Sequence, residues 1–139
     1  FMRYRLAENM LFIKLDDGED FLGGLCEIME ASGADSGIIL SCVGMLRDTV
    51  LAYFRRDYLE RALPSPMEIV SIEGNIARDD DGRLQPHVHA TLADESLNVH
   101  GGHLRRATVH NTAEIAMMIP IGVKLVRKKI DSRIELFFE

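Results

Sequence analysis

The chain has 139 residues, of which 47% are hydrophobic and 27% charged, and its formal net charge is −6. This length fits one domain, and the composition is that of a globular protein rather than of a disordered tail. The acidic balance disfavours direct binding to a nucleic-acid duplex, because phosphate contacts need a basic patch. We interpret the basic clusters as solvated strand faces: Arg55-Arg56, Arg105-Arg106 and residues 124–129.

The sequence gives no sign of membrane insertion. No apolar stretch approaches the roughly 20 residues that a membrane helix needs, and the first residues lack the apolar segment of a signal peptide. Cys26 and Cys42 each lie in an apolar segment, as small buried thiols in a reducing compartment do. We therefore expect a soluble, cytoplasmic protein.

The first third of the chain predicts one strand and one helix. Residues 2–15 alternate roughly between apolar and polar, which predicts a half-buried strand. Apolar residues between positions 19 and 31 recur at three- and four-residue spacing, which predicts an amphipathic helix. Asp17 or Asp20 is the expected N-cap of this helix, and Gly33 is expected at its C-terminus.

After Gly33 the sequence predicts strands nearly to its end. Residues 67–77 alternate around Gly74, a position typical of close approach by another backbone. Residues 55–66 predict a polar connection, because prolines interrupt them, and residues 79–82 predict a hairpin turn. The other predicted strands are residues 36–43, 49–54, 87–92, 107–110, 115–119, 123–126 and 134–138. Together they predict an α+β fold: a mixed or antiparallel β-sheet system with one main α-helix, in a single domain covering residues 1–139.

Four of the five histidines lie between positions 87 and 103. On a strand, His87 and His89 point to the same face with Cα atoms about 6.5–7 Å apart, so both imidazoles can bind one ion, while Val88 points into apolar packing. Residues 94–98 predict a turn, after which an antiparallel strand brings His103 across from the pair. Three histidines without a fourth protein ligand are typical of catalytic zinc sites. The alternative is a row of histidines hydrogen-bonded along an exposed sheet face.

These motifs resemble the PPC (plants and prokaryotes conserved) domain family. The resemblance is carried by PHVHATL at residues 86–92, VHGGHL at 99–104 and TAEI at 112–115. Upstream, residues 18–20, 44–46 and 68–76 fit the same pattern in order. The match covers about residues 5–138, and the order of its two histidine motifs is fairly specific.

The resemblance implies an α+β domain that forms a homotrimer and binds a metal through His87, His89 and His103. The fold group is similar to acetolactate decarboxylase, a zinc enzyme with an H-x-H pair and a later histidine. Land-plant members carry the domain behind an AT-hook and act as nuclear regulators. This chain has no R-G-R-P motif, so we expect no direct nucleic-acid binding. We expect the metal to be zinc or another divalent ion that imidazole binds well, such as nickel or copper.

Three further residues are candidates for catalysis beside the metal. Glu114, predicted on a strand neighbouring that of His103, is a candidate general acid or base, or a partner that orients a ligand histidine. The alternative for Glu114 is a surface or trimer-interface carboxylate. Glu73 is the second candidate for moving protons. Arg47 could bind a substrate carboxylate with its planar fork, although such an arginine is also typical of a protein surface.

The remaining polar clusters give weaker signals. His100 is predicted to face away from His103, and we interpret it as structural or solvent-facing. His110 is left unassigned. Residues 79–82 lack the later bidentate glutamate of a calcium loop, so a turn is the better interpretation.

Two functions therefore remain open. The first is a metal-dependent enzyme, similar to a lyase or decarboxylase, that acts on a small carbonyl acid by Lewis-acid polarisation. The second is a non-enzymatic trimeric module that binds a protein or a DNA-associated partner.

Overall fold

The structure, a computed structural model, describes residues 3–139. Within that range the elements are β1 (Tyr4–Ala7), β2 (Met10–Asp16), α1 (Phe21–Ser32), β3 (Ser36–Phe54), β4 (Tyr58–Ala62), β5 (Met67–Arg78), β6 (Leu84–Ala93), β7 (Val99–Met118), β8 (Leu125–Ile130) and β9 (Arg133–Phe138). The predicted α+β class, a mixed sheet with one helix in one domain, is confirmed.

Both ends of α1 are set by the residues that the sequence indicated. The Asp20 carboxylate accepts a hydrogen bond from the Gly23 backbone N–H at 3.1 Å, so Asp20 rather than Asp17 is the N-cap. Gly33 ends the helix in the left-handed conformation at φ 77°. The residues that α1 buries are Phe21, Gly24, Leu25, Ile28 and Met29. No helix in residues 3–139 has the length and apolarity to cross a membrane.

The nine strands of the described chain form one sheet in the order β1-β2-β7-β3-β5-β8-β9, with β4 paired to β3 and β6 paired to both β5 and β7. Neighbouring strands are antiparallel, except that β5 and β8 are parallel, so the sheet is mixed. Because β3 pairs with β5, β5 with β6, β6 with β7 and β7 with β3, these four strands close a ring. Buried side chains of the ring and of α1 belong to one hydrophobic core.

The N-terminal segment folds as a hairpin, and the prediction of a single strand over residues 2–15 was wrong. β1 and β2 pair around a turn at Glu8 and Asn9, with Glu8 at φ 54°. Both arms of a hairpin alternate as a single strand does, and this turn contains neither glycine nor proline. Residue 2 lies outside the described residues.

Two long strands replace four predicted short ones. β3 runs for 19 residues and β7 for 20, and each joins two segments that were predicted as separate strands. Their pairing shifts register at four places, and these shifts interrupt the regular alternation on which the prediction relied. Gly44, which directly follows the predicted strand 36–43, lies within β3. A Cβ there would lie 2.0 Å from the Thr112 carbonyl oxygen, so this glycine allows β7 to pass closely.

The connection over residues 55–66 also contains a strand that the sequence did not predict. β4 pairs along β3 from Tyr58 to Ala62, and most of its residues are exposed. An edge strand with both faces near solvent carries no alternating pattern, so its sequence has the features of a polar connection.

Candidate metal centre

β6 carries two of the three histidines on the face that points away from the core. Val88 between them is 1% exposed and packs in the core, so His87 and His89 point outward together. On one side of β6, β7 returns antiparallel and places His103 directly across from His89. On the other side, β5 places Glu73 across from His89. The prediction that His103 lies opposite the pair is therefore confirmed.

The three imidazoles form a nearly equilateral triangle. Their ring centroids are 5.4, 5.5 and 5.5 Å apart, and one nitrogen of each lies within 4.8 Å of those of the other two. Ligand nitrogens around a tetrahedral zinc ion are about 3.3 Å apart, so modest side-chain rotations would bring this set to bonding distance.

The pKa values of two of the three rings, those of His87 and His103, are lowered in a way that fits metal binding. Burial is the main cause that lowers the pKa of His87, and the nearby charges of Arg127 and His89 act in the same direction. Burial likewise lowers the pKa of His103, followed by the effect of the neighbouring rings and of Arg105. A lowered pKa keeps an imidazole neutral near pH 7, with a lone pair available. The group could therefore bind a metal.

A pocket of about 350 Å³ adjoins the histidines. The ring of Tyr58 lies 4.9 Å from that of His103, and the guanidinium of Arg105 lies 5.0 Å from the Tyr58 ring centroid. Arg105 also donates to Glu60 at 3.2 Å. The pocket is lined by Tyr58, Asp79, Gln85, Pro86, His87, His103, Arg105, Arg127 and Ile134.

Sequence reasoning missed Arg127. The basic cluster at residues 124–129 predicts a solvated strand face, yet Arg127 within it is partly buried and lies 3.3 Å from Nδ1 of His87. Its partner Asn75 accepts a hydrogen bond at 2.6 Å from the same guanidinium. No sequence signal links β8 to β6, because the contact arises only when β8 joins β5 in the sheet.

The two candidate glutamates take different positions. Glu73 shares the sheet face of the histidines, since it is the β5 residue opposite His89, and it accepts a hydrogen bond from Ser71 at 3.3 Å. Glu114 lies on β7 itself, eleven positions beyond His103, so the prediction of a neighbouring strand was wrong. Eleven residues of strand span about 36 Å, and Glu114 lines a different pocket, opposite Lys14. Its role in catalysis stays a prediction.

Arg47 belongs to a polar cluster of its own. Its guanidinium contacts Asp17 at 2.7 Å, Nδ1 of His110 at 3.2 Å and the Val109 carbonyl at 3.3 Å. The backbone N–H of Asn111 and then Arg47 lower the pKa of Asp17. The structure therefore does not bring Arg47 to the histidines, and its predicted contact with a substrate stays untested.

The fifth histidine stands apart from the triangle. His100 lies at the start of β7 with its Nε2 2.9 Å from the Asp94 carboxylate, which fits the structural role expected for it.

Solved structures share this fold over nearly the whole chain. A plant- and prokaryote-conserved (PPC) protein from Pyrococcus horikoshii is 25% identical, with a TM-score of 0.83 over 98% of this chain and 94% of that one. A metal-containing protein from Archaeoglobus fulgidus is 28% identical, with a TM-score of 0.80 over 96% of this chain and 94% of that one. A protein from Bacteroides thetaiotaomicron, whose name provisionally assigns DNA binding, is 19% identical with a TM-score of 0.85, over 98% of this chain and 95% of that one. At this level of identity, the likeness to the Bacteroides thetaiotaomicron protein shows the fold alone.

One curated protein is also similar. The bifunctional protein GlmU of a Synechococcus strain is 30% identical over 108 residues, which are 76% of this chain but 16% of that protein. The matched region is thus a small part of that relative. The similarity to acetolactate decarboxylase is not confirmed by these comparisons.

The family model of the Plants and Prokaryotes Conserved (PCC) domain matches residues 2–119. This range contains the helix, the closed ring of strands and all three histidines of the triangle. The chain therefore belongs to the Plants and Prokaryotes Conserved domain family, as its histidine motifs predicted.

Proposed function

We propose that His87, His89 and His103 together bind one divalent transition-metal ion, with zinc as the first candidate. The observation that carries the proposal is the convergence of three imidazole nitrogens within 4.8 Å on adjacent strands. No carboxylate or thiol belongs to this group, so a tetrahedral ion would keep one position for water or a substrate. The relative from Archaeoglobus fulgidus, which is named as metal-containing, supports the proposal.

Such a centre suits a lyase-like reaction, similar to a decarboxylation, on a small carbonyl acid. The bound ion would supply Lewis-acid polarisation of a carbonyl or enolate oxygen. Glu73 is the candidate for moving a proton, and its position opposite His89 on the same sheet face supports that assignment. Glu114 and Arg47 lie away from the triangle, so a role for either in the reaction requires a second copy of the chain.

The test of metal binding is a competition titration of the metal-free protein with zinc and a coloured chelator. We expect one site per chain in the wild type and its loss in His89→Ala. The matched control is His100→Ala, because His100 lies on β7 outside the triangle and contacts Asp94 instead. Equal zinc binding by the wild type and His89→Ala would refute the site.

A homotrimer is the second part of the proposal, and it serves an enzyme and a non-enzymatic interaction module alike. It is supported by large apolar side chains on the strands that flank β7: Phe12 is 49% exposed, Leu40 55% and Val43 54%. Apolar groups at this exposure favour burial against another protein surface, and the family resemblance points to copies of the same chain.

Light scattering on protein eluting from a size-exclusion column measures the molar mass of the assembly and so tests the trimer. The wild type should have three times the mass of one chain, and Val43→Asp should shift it toward the monomer. Leu97→Asp is the control, because Leu97 is 78% exposed on a turn. A monomeric wild type would contradict the trimer and leave the metal site to be judged separately.

A further inference from the structure

A basic side chain reaches the histidine triangle from a strand that the family match does not cover. Arg127 lies on β8, whereas the matched region ends at residue 119. Its Nη2 donates to Oδ1 of Asn75 at 2.6 Å and lies 3.3 Å from Nδ1 of His87. Arg127 also lines the pocket beside the triangle, so family membership alone does not predict this feature of the site.

The charge of Arg127 is not neutralised by the part of the chain that the structure describes. Its hydrogen-bond partners are an amide oxygen and an imidazole, and its Nε is buried without a partner. The other arginine of the pocket, Arg105, is paired with the Glu60 carboxylate. Buried donors are nearly always satisfied, and a guanidinium is best satisfied by an oxyanion.

Metal binding would also release a donor of Arg127. A guanidinium N–H can only donate, so its contact with His87 requires a lone pair on Nδ1. In a metal-bound neutral imidazole one nitrogen holds the metal and the other holds the proton. If the metal takes Nδ1, that lone pair is used; if it takes Nε2, Nδ1 carries the proton. Either way the contact between His87 and Arg127 would end, and that N–H of Arg127 would lack its acceptor in the pocket beside His87.

We infer that Arg127 is an anion-binding residue of the histidine site, and that the site takes a small ligand with an oxyanion group, a carboxylate first. The inference rests on the proposed metal site and names the class of ligand that it binds. The anion would accept N–H donors from Arg127 next to the metal, so that metal and anion each favour the binding of the other. This assigns to Arg127 the role that the sequence suggested for Arg47.

The experiment uses the full chain loaded with Co²⁺, whose visible absorption reports on its coordination. Acetate, inorganic phosphate and the uncharged isostere acetamide are titrated separately at constant ionic strength. We expect acetate to bind at least tenfold more tightly than acetamide.

Arg127→Met should weaken acetate binding about ten- to a hundredfold, which is the range for a charge-assisted hydrogen bond. Arg127→Lys, which keeps the charge but not the fork, should fall between. Arg105→Met, the control in the same pocket, should change acetate affinity less than about threefold, because its charge is already paired.

A second readout separates ligand binding from a structural role. Without added anions, Arg127→Met should bind Co²⁺ at least as tightly as the wild type, since a positive charge has been removed beside the cation. Weaker cobalt binding with unchanged acetate affinity would overturn the inference and make Arg127 a structural residue. Equal losses of acetate affinity in Arg127→Met and Arg105→Met would overturn it as well.

Phosphate binding more tightly than acetate would retain an oxyanion as the ligand class but exclude a carboxylate as the preferred ligand. Absence of a cobalt spectrum in the wild type would refute the metal site and this inference with it, whereas a normal spectrum without anion dependence would refute the inference alone.

Discussion

Gly74 is the position where one methyl group should both destabilise the fold and disturb the site. A Cβ at Gly74 would lie 2.1 Å from the carbonyl oxygen of His87 and 2.8 Å from the Cα of Val88. Both are backbone atoms, so no side-chain rotation relieves the overlap, and β6 must move away from β5 just where it carries His87. The residue also has φ 148°, which alanine adopts only with strain. Sequence reasoning predicted a close approach of another backbone here, and the structure confirms it.

The expected loss of unfolding free energy for Gly74→Ala is the sum of two terms. Backbone strain at positive φ contributes about 1–3 kcal/mol, and overpacking a close contact contributes a further 1–3 kcal/mol or so, which gives roughly 2–6 kcal/mol. Urea unfolding at one fixed protein concentration measures it, because an oligomer's apparent stability depends on concentration. Affinity for zinc should fall in the same variant.

Gly82→Ala is the matched control. Gly82 has φ 76°, but a Cβ there would meet nothing within 4 Å, so only the backbone term of about 1–2 kcal/mol applies. A loss for Gly74→Ala no larger than that for Gly82→Ala would refute the close approach of β5 and β6 as the reason for a glycine at this position.

Three further predictions concern the rest of the fold. Asp20→Ala should lower the unfolding free energy by about 1 kcal/mol in the same urea assay, because it removes the N-cap of α1. Asp17 has a pKa lowered by the backbone N–H of Asn111 and then by Arg47. Its contribution is therefore present above the unfolded pKa and is lost as pH falls through the folded one, so Asp17→Asn should reduce the loss of stability measured below about pH 4. Burial raises the pKa of the Cys42 thiol to about 12, so iodoacetamide at pH 8 should modify it far more slowly in the native than in the urea-unfolded chain, as mass spectrometry would report. Equal labelling rates would show that β3 opens easily.

The helix and the histidine face could be predicted because their signals are local. The spacing of apolar residues, the cap at Asp20 and the glycine at position 33 all act within a few residues of one another. The alternation of His87, Val88 and His89 likewise fixes which side chains share a face on any strand. The position of His103 across from the histidine pair depends only on one turn and one antiparallel neighbouring strand, so it could be predicted as well.

The lengths of β3 and β7 could not be predicted in the same way. The four register shifts leave between one and three residues unpaired each, and past some of them the buried residues change parity along a strand. This pattern in one sequence is the same as that of two short strands separated by a loop. It also explains Glu114, which lies on the strand of His103 rather than on the next one.

Contacts between segments far apart in the sequence were the second feature that could not be predicted. Arg127 meets His87 across 40 positions of sequence, through a parallel pairing of β5 with β8 at one residue pair. A basic residue in a polar strand gives no indication of its partner. Arg47, which is a candidate for binding a substrate carboxylate, contacts Asp17 within the fold.

Metal analysis of the protein as purified tests the proposed site most directly. The chain should be prepared without an affinity tag or chelator, and its metal content measured by plasma mass spectrometry beside that of His89→Ala and His100→Ala. We predict about one zinc or other divalent transition-metal ion per chain in the wild type and in His100→Ala, and almost none in His89→Ala. The absence of a bound metal from all three, or an equal content in all three, would contradict a metal centre formed by His87, His89 and His103.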